Sequence, residues 1–261
     1  MNAFTKLLGS IGGGKVALSR LERNGVPYAR ILVSNPTRKN ALSGKMMVEL
    51  ADCVTELEQA KDISFIHLVG QGDFFCSGAD LSVAKEIDGV AMCSLMQDTT
   101  TRLRNLSAIS VSHIVGGAYG GGTELASCTD FRCMHPQAVW RSVHAKMGVS
   151  PGWGGGNRIA RLVGSRGKAL QVFSGQKLTS EECVNLGLVD HVVESETELL
   201  EKFDHFLALP PQALRACKQS VIAGEIYGNN KDILNAELEA FRGVWGGQAN
   251  QQALGSKSKK N

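Results

Sequence analysis

Ile109-Ser110-Val111-Ser112-His113-Ile114-Val115 runs into Gly116-Gly117-Ala118-Tyr119-Gly120-Gly121-Gly122, and Thr123-Glu124-Leu125-Ala126-Ser127-Cys128 follows. The first stretch is apolar and β-prone, and the last opens a helix. Between them lies a glycine-rich turn from strand to helix. Such a turn leaves backbone N–H groups unpaired and aims them outward. The positive end of the helix dipole favours a negative oxygen at the same place. A second turn of this kind, Phe75-Cys76-Ser77-Gly78-Ala79-Asp80, comes shortly after another predicted strand, Ile63 to Val69. Two such turns side by side can give two N–H donors to one oxyanion. Each glycine cluster taken alone is equally consistent with tight packing.

Outward from these turns the chain alternates strand and helix patterns. Val16 to Leu21 and Tyr28 to Val33 read as a hairpin around Asn24-Gly25, ended by Asn35-Pro36. Met46, Leu50, Cys53, Val54 and Leu57 share one helical face, with Ser43 as the N-cap. A helix is predicted over Val90 to Leu106 and a strand over Phe131 to Met134. This alternation predicts an α/β fold built from βαβ units. After Gly164 the patterns are helical: Lys168 to Phe173, Ser180 to Leu186, Glu196 to Leu207, Pro211 to Ile222 and Asp232 to Val244. A flexible N-terminus over 1–14, a core over 15–195, a helical cap or oligomer surface over 196–250 and a basic tail over 251–261 are the expected divisions. The tail carries Lys257, Lys259 and Lys260.

Composition removes several function classes. The 261 residues are 43% apolar and 20% charged, which excludes a disordered chain. A net charge of +3 falls short of the concentrated basic face of a nucleic-acid binder and suits an anionic small ligand. The seven cysteines form no Cys-x-x-Cys pair, so neither a disulfide framework nor a zinc site is expected. They read as small core residues in a reducing compartment. No apolar run approaches the roughly 18 residues of a membrane span, and no targeting pattern stands at the start, so the cytosol is the expected location. Gly117 to Gly122 does not fit Gly-x-Gly-x-x-Gly and lacks the acidic residue of a dinucleotide site. Neither a P-loop nor a Gly-x-Ser-x-Gly elbow occurs.

Several segments in this order are more specific than either turn. They are Asn35-Pro36 with Lys39-Asn40-Ala41-Leu42, Cys76 to Leu81, Gly120 to Ala126 with Asp130, and Gly148 to Gly156. Together they resemble the enoyl-CoA hydratase (crotonase) superfamily over nearly the whole chain. The resemblance implies a ββα-repeat spiral core, a C-terminal helical region that drives trimers or hexamers, and an acyl-CoA ligand. It makes the backbone N–H groups of Ala79 and Gly121 the oxyanion donors. Gly78, Asp80, Gly120, Ala41 and Lys39 then line the substrate; Lys39 is a candidate contact for a CoA phosphate, or simply a solvated lysine.

The departures concern reaction type. Hydratases of this superfamily manage one water with two glutamates. Glu124 matches the first, and His144 stands where the second would be. Hydration needs a carboxylate to activate water and an acid to protonate carbon, so imidazole at this place disfavours it. His144 is either an acid–base group or a hydrogen-bonded structural histidine. Glu124 has no structural duty visible in the sequence. Val143-His144 with Lys146-Met147-Gly148, Trp153, Val244 to Gly247 with Ala249-Asn250, Met96-Gln97 with Thr101-Arg102, and Gly164-Ser165-Arg166 resemble one branch of the superfamily. That branch decarboxylates ethylmalonyl-CoA, and methylmalonyl-CoA less readily, as cytosolic metabolite repair. The resemblance implies an enolate intermediate and no cofactor, because the thioester is itself the electron sink. Either Glu124 or His144 would supply the final proton, and Trp153 either shapes the acyl pocket or simply packs. The other readings are a hydratase or isomerase of unsaturated acyl-CoA, and a non-catalytic acyl-CoA- or RNA-binding protein.

Overall fold

The computed structural model describes residues 3–82 and 88–258. A short helix α1 (Ala3–Gly9) precedes strands β1 (Lys15–Arg23) and β2 (Val26–Ser34). These two form the expected hairpin, antiparallel from Lys15↔Ser34 to Arg23↔Val26. Asn24 and Gly25 both take positive φ, 53° and 77°, which suits the twist of a two-residue hairpin turn. Helix α2 (Gly44–Gln59) follows, with the Ser43 side chain accepting from the Met46 N–H as its N-cap. Then come β3 (Phe65–Gly70), α3 (Gly89–Asn105), β4 (Ile109–Ile114), β5 (Gly117–Tyr119), α4 (Gly121–Ala126), β6 (Phe131–Met134) and β7 (Val139–Arg141). The rest is α5 (Gly155–Val163), α6 (Arg166–Phe173), α7 (Ser180–Leu186), β8 (His191–Val192), α8 (Glu196–Leu207), α9 (Pro211–Ile226), α10 (Asn230–Arg242) and α11 (Gln248–Ser258).

The main sheet has the order β1-β2-β3-β4-β6-β8, parallel from β2 onward. Every residue of β3 and β4 is buried, as expected for parallel strands covered on both faces. One face packs on α2, α3 and the segments around α5 through Met46, Leu50, Leu68, Met96, Leu125 and Ile159. The other packs under α8 through Phe65, Val111, Cys133, Leu199, Phe203 and Leu207. A second, smaller sheet pairs β5 with β7 in parallel. The sequence pattern places β5 within the glycine turn, because Gly117-Ala118-Tyr119 is too short and glycine-rich to register as a strand, and it gives no sign of β7.

The ends of the chain differ from expectation. Where a flexible start was expected, α1 docks its buried Leu8 on α2, close enough that a Cβ on Gly44 would meet the Leu8 carbonyl at 2.4 Å. Where a basic tail was expected, α11 continues to Ser258; Lys259 and Lys260 lie outside the described residues. Helix α9 is tied to the core by buried Lys218, whose Nζ donates to the Ala108 carbonyl and to Asp130 Oδ2, both at 2.6 Å. Helix α10 buries none of its residues, and Leu234, Leu238 and Phe241 on it are exposed, as is Trp245 just beyond. Among the described residues no helix is long and apolar enough to cross a membrane.

Two histidines on adjacent strands make this fold sensitive to acid. His67 on β3 and His113 on β4 are buried, and none of their four ring nitrogens has a hydrogen-bond partner; Glu196 Oε1 stands 3.6 Å from His67 Nδ1, and burial outweighs it. Burial, then the neighbouring His113 and Arg30, pushes His67 down to about 3. Burial, then His135 and Arg30, pushes His113 down to about 4. An unfolded imidazole titrates near about 6.5. Between these limits protons bind the unfolded chain alone, so stability is complete above about pH 6.5 and falls as pH drops. At about pH 5 the loss is about 2 kcal/mol per ring, on the order of 4 kcal/mol for the pair. Urea unfolding at neutral pH and at about pH 5 reads this loss directly, and His67→Phe and His113→Leu are each expected to remove about half of it. Unchanged acid sensitivity in both variants would acquit these rings.

Candidate active site

Buried asparagines shape the first turn. Asn40 stands in the left-handed region with φ 54°, and its side chain donates to the carbonyls of Gln71 and Phe74. Its Oδ1 accepts from the Asn35 N–H at 2.8 Å, and Asn35 Nδ2 donates to the Ala41 carbonyl at 2.9 Å. This clamp lays Ala41-Leu42 alongside the Cys76–Asp80 loop. The Leu42 N–H donates to the Gly78 carbonyl at 2.8 Å, and the Asp80 N–H donates to the Leu42 carbonyl at 2.9 Å. Ala79 sits between those bonds, in a parallel bridge with Leu42. In such a bridge the flanking residues carry the bonds, so the Ala79 N–H points the other way. Among the described residues it has no acceptor.

The second turn lies against the first. Cys76 bridges Ala118 of β5, and the Tyr119 N–H donates to the Cys76 carbonyl at 2.9 Å. Gly120 turns the chain at φ 49° and ψ −124°, and α4 starts at once. The Gly121 N–H belongs to the first turn of that helix and has no acceptor among the described residues. The two loops touch: a Cβ on Gly78 would lie 2.8 Å from the Gly121 nitrogen. Two unpaired N–H groups therefore stand on adjacent loops at a helix N-terminus. The nearest thiol in sequence, Cys76, is pushed up to about 12 by burial and remains an un-ionised core group.

Glu124, on the first turn of α4, is buried and accepts four hydrogen bonds. Oε1 faces His144 Nε2 at 3.0 Å and the Gly152 N–H at 3.2 Å. Oε2 accepts from the Trp153 and Gly155 N–H groups, each at 2.8 Å. The expectation that Glu124 lacks a structural duty is overturned, because its carboxylate holds the start of α5 in place. A Cβ on Gly155 would meet the Glu124 Cγ at 2.4 Å, so this approach requires glycine. Buried Arg158, unmarked in the sequence except as a cation on an apolar helix face, completes the clasp. Its Nη2 donates to the carbonyls of Glu124 and Trp153 at 3.1 and 2.7 Å. Thr100 of α3 donates to the same Trp153 carbonyl at 2.7 Å.

His144 lies just past β7, buried, with its ring edge-on to Phe173. Its Nδ1 is buried without a partner. The Trp153 ring covers Gly121: a Cβ on Gly121 would fall 2.6 Å from that ring. The fold thus gathers Gly78, Ala79, Gly120, Gly121, Glu124, His144 and Trp153 into one site. Lys39 and Asp80 are engaged locally instead. Lys39 is exposed over the Phe74 ring at 5.5 Å, and Asp80 Oδ1 accepts from the Ser82 N–H and hydroxyl at 3.0 and 2.8 Å. Among the described residues no group of three or more His, Cys, Asp or Glu is placed to hold a metal ion.

Comparison with known proteins agrees with this geometry. The family model for enoyl-CoA hydratase/isomerase matches residues 23–252. Ethylmalonyl-CoA decarboxylase of Homo sapiens is 40% identical, over 98% of this chain and 85% of its own length. The protein of that name from Xenopus laevis is 40% identical, over 97% and 87%. The crystal structure of enoyl-CoA hydratase from Bacillus anthracis superposes with a TM-score of 0.85 at 25% identity, covering 95% of this chain and 97% of that one. A Thermobifida fusca structure in complex with acetoacetyl-CoA gives 0.71 at 26% identity, over 85% and 92%. The chain belongs to the enoyl-CoA hydratase/isomerase family and has its crotonase fold.

Proposed function

We propose that this chain removes CO2 from ethylmalonyl-CoA, and less readily from methylmalonyl-CoA, leaving the saturated acyl-CoA. The observation that carries the reading is the pair of unpaired N–H groups, Ala79 and Gly121, beside a Glu124–His144 couple in place of two free carboxylates. The bond from Cα to the carboxylate breaks and its electrons become the enolate double bond. The thioester oxygen takes the negative charge and rests on the two N–H donors. That charge is larger in the transition state than in the substrate, so the contacts accelerate the chemical step. The thioester accepts the electron pair, so no cofactor takes part. Near-full-length similarity to proteins named ethylmalonyl-CoA decarboxylase supports this substrate over an unsaturated acyl-CoA. Hydration is disfavoured because both Glu124 oxygens are already occupied by donors and a second carboxylate is replaced by His144.

The same reading makes the protein a cytosolic metabolite-repair enzyme that works as a homotrimer or homohexamer. The uncovered apolar face of α10 supports self-association. Neither a nucleic acid nor a membrane is a partner in it.

Mass spectrometry after incubation with ethylmalonyl-, methylmalonyl-, malonyl- and crotonyl-CoA tests the activity. CO2 loss is expected to be fastest from ethylmalonyl-CoA. Hydration of crotonyl-CoA without any decarboxylation would sink the proposal. The oxyanion contacts are tested by Ala79→Pro against Ala79→Gly. Proline deletes the N–H, and loss of one such donor lowers kcat by on the order of a hundredfold, about 3 kcal/mol. Ala79→Gly is expected to be mild. Circular dichroism checks folding, and full activity in a folded Ala79→Pro protein counts against the hole. His144→Glu would set a second carboxylate against Glu124 and the substrate carboxylate. At about 4 Å and an effective dielectric of about 20, like charges repel by roughly 4 kcal/mol. Kinetics of both variants should find decarboxylation abolished in His144→Glu and slowed but still measurable in His144→Gln.

A further inference from the structure

The geometry assigns the final proton to His144 through Nδ1 and makes Glu124 a positioning residue. The inference rests on the enolate chemistry proposed above. Glu124 is the more obvious acid, yet its two oxygens already accept four N–H groups, three of them from the backbone of Gly152, Trp153 and Gly155. To carry a proton to carbon, Glu124 would need an O–H where a fixed donor now points, and the start of α5 would lose its anchor. His144 has the opposite arrangement. Its Nε2 is committed to Glu124, while its Nδ1 is buried with no partner. Buried polar atoms are nearly always paired, and this orphan nitrogen, unlike those of His67 and His113 in the core, belongs to a ring that touches the Glu124 carboxylate, so it is the one left to meet a substrate group.

The remaining contacts set the segment that carries this ring beside the glycine turn at the start of α4. Val143, the residue before His144, lies 3.3 Å from a Cβ placed on Gly120, at the start of α4. Phe173 holds the imidazole edge-on with centroids 6.0 Å apart. Glu124 accepts from Nε2 and so fixes both the ring plane and the site of one proton, the familiar way a carboxylate orients a histidine. The reacting ring carries protons on both nitrogens. Once CO2 has left, the enolate double bond takes the Nδ1 proton at Cα. The oxyanion electrons re-form the thioester carbonyl, and the ring is left neutral with its Nε2–H still donating to Glu124. Solvent returns one proton to Nδ1, which matches the one proton that decarboxylation consumes overall.

Stereochemistry in D2O separates this from a proton delivered by Glu124. Wild-type enzyme is expected to place one deuterium at Cα of the saturated product in a single configuration. His144→Gln is expected to slow turnover by on the order of a hundredfold and to scramble that configuration, because the enolate then takes deuterium from water. Glu124→Gln is expected to be slow as well, from loss of the α5 anchor, but to keep the configuration. Single-configuration delivery by His144→Gln, or scrambling by Glu124→Gln alone, overturns the assignment. A second measurement does not depend on decarboxylation. By microscopic reversibility, neutral His144 should exchange one of the two Cα protons of butyryl-CoA for deuterium, and His144→Gln should lose that exchange. Stereoselective exchange with no CO2 loss from ethylmalonyl-CoA would retire the proposed substrate and leave His144 in place. Absence of exchange in the wild-type enzyme, or its persistence in His144→Gln, would overturn the role of His144.

Discussion

The four hydrogen bonds to the Glu124 carboxylate organise everything around the reaction site. A carboxylate buried to this degree is costly unless it is fully paired, and here each oxygen meets two donors. Three donors come from one stretch of backbone, so the charge and the path of residues 152–155 specify each other. Arg158 reinforces the arrangement by taking the backbone carbonyls of Glu124 and Trp153, which the carboxylate itself leaves unserved. Through these bonds α4, α5 and the Trp153 ring become one rigid unit, and that ring lies directly over Gly121.

The two N–H groups proposed as oxyanion donors depend on the same economy of backbone bonds, seen from the other side. Ala79 has a free N–H because the bridge to Leu42 is made by its neighbours, the Gly78 carbonyl accepting from Leu42 and the Asp80 N–H donating to it. Gly121 has one because a helix cannot satisfy its own first turn. Neither residue needs a special side chain, and Gly121 must lack one, since Trp153 leaves no room for a Cβ there. The clamp of Asn35 and Asn40 fixes the turn that leads into the bridge at Leu42.

Sequence patterns made much of the scaffold legible. The Asn24-Gly25 hairpin, the Ser43 cap, the buried strands β3 and β4 and most of the C-terminal helices follow from local propensity and period, which act within a few residues. The β5–β7 sheet was hidden because three-residue strands carry no period, and β7 finds its partner only after α4 and β6 have been laid down. Helix α1 was hidden because its first requirement is a surface, the Gly44 notch on α2.

The same division runs through the site. Sequence by itself determined that two glycine turns would present backbone donors and that Glu124 would stand in the first turn of a helix, which concern residue type and local chain direction; the resemblance to the family added that His144 replaces a carboxylate. Tertiary structure decided that Glu124 is an anchor and that His144 keeps a free nitrogen. The donors that fill the Glu124 carboxylate belong to Gly152, Trp153 and Gly155. They are backbone groups without any side-chain signature, and only the folding of α5 against α4 brings them within hydrogen-bonding distance.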